Sequence, residues 1–242
     1  GYVFAKHIFG IKGSYAVDPQ KGAVVMTLTT QGDVPIHYTL DGSEPTAASP
    51  RYTGPVEIGK SARFRATALR EGGENASYSR EFAFSKSTGR PAVLNTKPND
   101  SYTFEGASLL VDGYHSRPVF TSGAWLGYLD EPLDVTIDMG GEQSYRSVEL
   151  ETLAEKGDWI FPPSSVTVWV SDNGTDFTEV ASVAVPEAKA GDADGIGRYR
   201  MQFPETSARY LKVVAQNAAA IPAWHPGAGS KGFLFVDEVV VE

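Results

Sequence analysis

In one segment after another, apolar side chains recur at every second position, and that period of two commits a backbone to strands whose two faces differ in polarity. Val24, Met26 and Leu28 are spaced in this way. Ile36, Tyr38 and Leu40 alternate with His37 and Thr39, and Asp41-Gly42 then signals a turn. Phe64, Ala66 and Ala68 alternate with Arg63, Arg65 and Thr67, and residues 78–84 follow with Phe82 and Phe84 on one face. The first ~90 residues thus supply about four to seven strands, enough for a small sandwich. Further on, Leu133, Val135, Ile137 and Met139 alternate with polar residues, and Val148 and Leu150 follow. Val166, Val168 and Val170 precede the hairpin signal Ser171-Asp172-Asn173-Gly174. Tyr199, Met201 and Phe203 alternate with Arg198, Arg200 and Gln202, while residues 210–215 and 233–241 are denser and read as central strands. This part supplies about eight strands of a second antiparallel sandwich. Helix is expected only as single turns, with residues 101–110 the best candidate.

The 25 glycines and 15 prolines fit many short strands joined by turns. With 41% hydrophobic and 11% aromatic residues, the chain can build packed cores. Residues 85–92 are polar and poor in apolar side chains, which places a domain boundary there. The expected organisation is a first domain at 1–87, a linker at 88–92 and a second domain at 93–242. The absence of cysteine excludes disulfides, thiolate metal sites and cysteine nucleophiles. No apolar run is long enough to span a membrane. Gly1 is followed at once by a β-like run with no leader before it, so the sequence reads as part of a longer protein. Residues 1–90 carry 11 Lys/Arg against 8 Asp/Glu and residues 91–242 carry 10 against 22, giving +3 and −12. The acidic second part repels phosphate backbones and anionic membranes, which excludes nucleic acid as a partner and favours neutral ligands or a bound cation.

Two segments then become recognisable. Residues 35–46, reading Pro-Ile-His-Tyr-Thr-Leu-Asp-Gly-Ser-Glu-Pro-Thr, with Ser49-Pro50-Arg51-Tyr52 behind them, resemble the small Ig-like domain that follows the catalytic barrel in bacterial chitobiase/β-hexosaminidases. The order Val111-Asp112-Gly113, residues 123–128 (Gly-Ala-Trp-Leu-Gly-Tyr), residues 158–162 (Asp-Trp-Ile-Phe-Pro), Ala208-Arg209-Tyr210 and Val236-Asp237-Glu238-Val239 resembles the discoidin, or factor V/VIII type C, fold. Family 32 carbohydrate-binding modules share that fold. Residues 222–229, Pro-Ala-Trp-His-Pro-Gly-Ala-Gly, look like the C-terminal module of family 20 β-N-acetylhexosaminidases. The resemblance implies an all-β chain: an Ig-like domain followed by a discoidin-like, galactose-binding-domain-like jelly roll.

Catalysis finds no support in the residues. Family 20 enzymes use an Asp-Glu pair within a TIM barrel, and the ~250 residues of alternating strand and helix that a barrel needs are missing. Asp130-Glu131 lies in a loop. Asp237-Glu238 lies in a strand, where neighbours point to opposite faces. The resemblance implies a structural Ca2+ with Asp112 and Glu238 as side-chain ligands, and with carbonyls near Leu109, Tyr114 and Asp237 completing an oxygen shell. Tyr114 and Arg117 depart from the residues that carbohydrate-binding relatives carry there. For a glycan, the chemistry asks for a flat aromatic face against the ring's C–H surface and polar groups for its hydroxyls. The loop residues that qualify are Trp159, Trp224, His225, Tyr114, His115 and Arg117. Trp125 and Trp169 are expected to pack within the fold, and His7 and His37 to be structural.

The expectation is thus a non-catalytic accessory region of an exported bacterial β-N-acetylhexosaminidase (periplasmic, cell-surface or secreted). Its partners would be glycan termini of N-acetylhexosamine or galactose type and its own N-terminal catalytic domain. The alternatives are purely structural domains that buttress the barrel, or a module for adhesion to proteins or cell surfaces. Exposure decides between them. Trp159 and Trp224 side by side in an open cleft favour sugar binding, whereas burial of both under residues 218–230 favours the structural reading.

Overall fold

The structure is a computed structural model that describes residues 10–32, 34–70 and 75–242. His7 and the β-like run at the start lie outside the described residues. The chain divides into two compact units, Gly1–Phe84 and Ser85–Glu242.

In the first unit, β1 (Ile11–Asp18), β2 (Ala23–Thr30) and β4 (Val56–Ile58) form one sheet, while β3 (Ile36–Thr39), β5 (Ala62–Ala68) and β6 (Ala76–Phe82) form the other. Val24, Met26, Leu28 and Ile58 from the first sheet and Ile36, Phe64, Ala66 and Phe82 from the second are buried. This is the alternation read in the sequence. β1 escaped that reading because Gly13 occupies an inward position with no side chain. The Tyr78 ring fills the space, and a Cβ on Gly13 would lie 2.3 Å from Tyr78 Cζ. The Asp41-Gly42 turn forms as expected: Gly42 takes φ +84°, and Asp41 Oδ1 accepts the Ser43 amide at 2.9 Å. His37 is held locally, with Nδ1 2.7 Å from the Ser49 carbonyl.

The second unit is built around two strands of 22 residues each, β9 (Leu133–Ala154) and β12 (Gly195–Gln216). They pair antiparallel along their whole length and bend together. β9 turns at Gly140 and Gly141, whose φ values are +79° and +158°, and β12 shifts register between Gln202 and Thr206. The bend gives two layers. The early half of β9 pairs with β7 (Ala92–Leu94), and the late half of β12 pairs with β10 (Ser165–Ser171), which carries β11 (Thr178–Ala184) at the edge. The late half of β9 pairs with β13 (Leu234–Val241), which carries β8 (Leu126–Tyr128). Val135, Ile137, Val168, Leu211 and Val213 from one layer meet Val148, Leu150, Met201, Val236 and Val239 from the other in a single core. Hence what the sequence shows as separate strands at 133–139 and 148–150, and at 198–203 and 210–215, are halves of continuous strands.

One further point departs from expectation, and one agrees with it. Residues 88–92 are not an exposed linker. Ser87 and Thr88 are buried, Ser87 Oγ donates to the Val239 carbonyl at 2.5 Å, and the Gly89 amide donates to the Val111 carbonyl at 2.8 Å. The segment is thus part of the second unit. Helix among the described residues is confined to single 3-10 turns, two of them at Asp100–Tyr102 and Gly106–Leu110, within the stretch singled out for it.

Candidate functional site

One end of the second unit carries an exposed aromatic cluster. β9 runs out into the tight turn 155–160, closed by Glu155 and Ile160, whose amides each donate to the other's carbonyl at 3.1 and 3.2 Å. Trp159 occupies the last position of that turn at φ +63°, a left-handed conformation that costs a bulky residue about 1–3 kcal/mol. The residue is 43% exposed. Its inner edge lies on the backbone of Gly227, where a Cβ would stand 2.8 Å from Trp159 Cζ2. Trp224 is 39% exposed, and its Nε1 donates to the Ala188 carbonyl at 2.9 Å, which fixes the ring. His225 stands between them edge-on, 6.1 Å from Trp159 and 5.6 Å from Trp224, with the buried Phe161 beneath at 5.4 Å.

The cluster is braced from below. His225 Nδ1 accepts the Gly227 amide at 3.0 Å, which leaves Nε2 to donate to the Lys156 carbonyl at 2.9 Å. Lys156 is itself nearly buried. Its ammonium donates to the Asp192 carbonyl at 2.9 Å and forms an ion pair with Asp194 that also lowers the Asp194 pKa. Two indoles are therefore held at a fixed separation, each with a substantial surface open to solvent. Such a preformed platform suits a flat apolar face on a ligand.

The second cluster lies where β13 crosses the loop after Val111. Val236 pairs with Thr152 and Val239 with Leu150, so Asp237 and Glu238 together oppose Glu151 in a β-bulge. The bulge corrects the expectation that Asp237 and Glu238 point to opposite faces. Both carboxylates meet the same loop: Asp237 Oδ2 accepts the Ser116 amide at 2.7 Å and Glu238 Oε1 accepts the Gly113 amide at 3.1 Å. Asp112 Oδ1 accepts the Tyr114 amide at 2.7 Å. All three acids are buried, and Glu238 Oε2 has no hydrogen-bond partner. Burial, reinforced by the charge of Asp112, holds the carboxyls of Asp237 and Glu238 well above the usual carboxylate range. Glu151 differs. Burial alone would raise it, but His115 Nδ1 at 3.0 Å and Arg198 Nε at 2.5 Å bring it below its ordinary value, and the same contact raises His115.

Residues 95–231, more than half of the chain, match the F5/8 type C domain. The chain belongs to the F5/8 type C domain family. Ahead of that region, residues 13–80 match the chitobiase/beta-hexosaminidase C-terminal domain. Among solved structures, the F5/8 type C part is similar to chitosan-binding module 1 of a chitosanase/glucanase from Paenibacillus sp. IK-5, at 17% identity over 65% of this chain and 98% of that one, TM-score 0.43. It is also similar to CpGH89CBM32-5 from Clostridium perfringens, solved with GalNAc-β-1,3-galactose, at 16% identity over 63% and 94% of the two chains, TM-score 0.42. No curated protein matches the chain. Both matched domains are of non-catalytic type.

Within the F5/8 type C domain, the residues singled out in the sequence fall into two groups. Trp159, Trp224 and His225 share the aromatic cluster. His225 is a strut rather than a contact for ligand, because it is 8% exposed and both its ring nitrogens are engaged by the backbone. Tyr114, His115 and Arg117 belong instead to the loop over the carboxylates. Arg117 is exposed, and its carbonyl accepts Trp125 Nε1 at 3.0 Å. Trp125 is fully buried, and Trp169 is half-buried. Asp130 pairs with Lys231, and Glu131 accepts the Lys97 amide, so that Asp-Glu pair is occupied structurally. Sequence reasoning missed Gly227, Lys156, Asp194 and Glu151. Of these, only Gly227 carried a signal, as a glycine two residues past His225 in a Pro/Gly-rich loop.

Proposed function

We propose that this chain is the accessory region of an exported bacterial β-N-acetylhexosaminidase, and that its F5/8 type C domain binds glycan termini. The observation that carries the reading is the exposure of Trp159 and Trp224 on one braced cluster, held open by Gly227 and His225. A sugar ring stacks its C–H face on such an indole. Binding is weak per site, since a shallow platform covers little of its ligand. The first domain then serves as a spacer beside the missing barrel. Against the structural alternative stands the exposure of both indoles. Among the described residues no helix is long and apolar enough to cross a membrane.

The carboxylate cluster fits a structural calcium. Buried carboxylates without a cation or a proton are costly, and Glu238 Oε2 has no hydrogen-bond partner, which supports this reading. Among the described residues, no three His, Cys, Asp or Glu side chains converge closely enough to hold an ion by themselves. Asp112 and Glu238 would therefore share the ion with backbone carbonyls, such as those of Leu109, Tyr114 and Asp237, which is a hard oxygen set of the kind calcium takes. Such an ion would tie β13 to the 111–116 loop.

A glycan array probed with labelled protein tests the main reading. Spots bound by the natural sequence and lost with Trp159→Ala plus Trp224→Ala support it. An array with no bound spot contradicts it.

A further inference from the structure

Beside the tryptophan pair lies a cleft of about 350 Å3, walled by residues 161–164, 185–188 and 218–223. Pro162, Pro163, Pro186 and Pro222 supply four wall positions that have rigid φ and no N–H group. The remaining wall is mostly alanine methyl groups with Val185, Ile221 and Phe161, and Glu187 is the one ionisable side chain among the lining residues. Two of the wall's polar groups are turned into the wall itself. The Val185 amide donates to the Ser164 carbonyl at 2.8 Å, and Ser164 Oγ donates to the Asn217 carbonyl at 2.9 Å. Trp224 forms the rim, because its Nε1 reaches the carbonyl of Ala188, a lining residue, and its neighbour Ala223 also lines the cleft.

A sugar stacked on Trp224 therefore has one edge over a rigid, mainly apolar hollow whose one ionisable side chain is Glu187. A hydroxyl placed against its proline and alanine wall loses its water without finding a partner. A methyl group gains by leaving water. We propose that this cleft is a specificity subsite that receives the acetamido methyl of an N-acetylhexosamine stacked on Trp224, and so selects acylated amino sugars over plain hexoses. The inference rests on the glycan-binding reading above and narrows its ligand from the galactose and N-acetylhexosamine types to the second.

The test is calorimetric titration with N-acetylglucosamine, glucosamine and glucose, and with the same three members of the galacto series. The natural sequence is compared with Ala219→Leu and Ala223→Leu, two exposed wall positions where an added isobutyl group fills the cleft without entering the core. The acetylated sugar of one series should bind about tenfold or more tighter than the plain hexose of that series, the span that a small apolar group confers in a fitted pocket. Either leucine variant should cut that advantage to about twofold at unchanged melting temperature. Equal affinity for acetylated and plain sugars, or a preference that survives both leucines, overturns the subsite while leaving glycan binding intact. Absence of binding to all six sugars overturns the glycan reading itself, and the subsite with it.

Discussion

Glu238→Gln separates a calcium-linked carboxylate cluster from an inert one. The natural side chain is fully buried, with one oxygen on the Gly113 amide and the other without a partner. Glutamine keeps its length and removes one negative charge beside Asp112 and Asp237. In chelator the substitution relieves repulsion, so the melting temperature holds or rises. In calcium the sign reverses. At a calcium concentration one hundred times the dissociation constant, the natural protein gains about 2.7 kcal/mol. A unit the size of residues 85–242 shifts by about 2–4 °C per kcal/mol, so the gain is roughly 5–11 °C. Glu238→Gln should lose most of that increment. Differential scanning calorimetry in millimolar calcium and in EDTA reads both effects. Equal melting temperatures for the natural protein in the two buffers, or a full calcium shift in Glu238→Gln, would refute the argument.

Three other outcomes follow from particular contacts. Gly227→Ala places a Cβ within 3.1 Å of three Trp159 ring atoms, so the indole must move; glycan affinity should fall severalfold, while the melting temperature, read by fluorimetry, changes by at most a few degrees. Gly13→Ala drives a methyl into the Tyr78 ring at 2.3–2.7 Å and should cost the first unit about 1–3 kcal/mol in urea unfolding. The Asp194 carboxyl lies below its ordinary value because of Lys156. Its contribution is thus fully present above the ordinary carboxylate value and is lost as pH falls through the lowered one. Asp194→Asn should remove that acid-limb loss from a melting series between pH 6 and pH 2, and an unchanged acid limb would contradict the assignment.

The strands were legible because burial on one face writes a period of two into Val24–Leu28 and Leu133–Met139. Continuity was not. Gly140-Gly141 reads locally as a break, and only pairing with β12 carries β9 through it. The bulge at Asp237-Glu238 was hidden for a related reason. Strict alternation puts Val236 and Val239 on opposite faces, yet both are in the core because two residues oppose Glu151 alone. At the aromatic cluster, the tryptophans announced themselves by type and loop position. The role of His225 did not, since its Nε2 partner lies 69 residues away at Lys156. Nor did the strained backbone of Trp159, which follows from the closure of the 155–160 turn onto Phe233, whose amide donates to the Trp159 carbonyl at 2.8 Å. The apolar cleft joins three distant segments, none of which is distinctive alone.

The most direct test of the central claim is an isothermal titration of this chain with N-acetylglucosamine, N-acetylgalactosamine, galactose and chitobiose, in calcium and again in chelator, for the natural sequence, Trp159→Ala and Trp224→Ala. Saturable binding of at least one sugar, abolished by either alanine while the fold persists, is the expected result. No saturable heat with any of the four in either buffer, or binding indifferent to both substitutions, would contradict the account and leave the two domains a structural role alone.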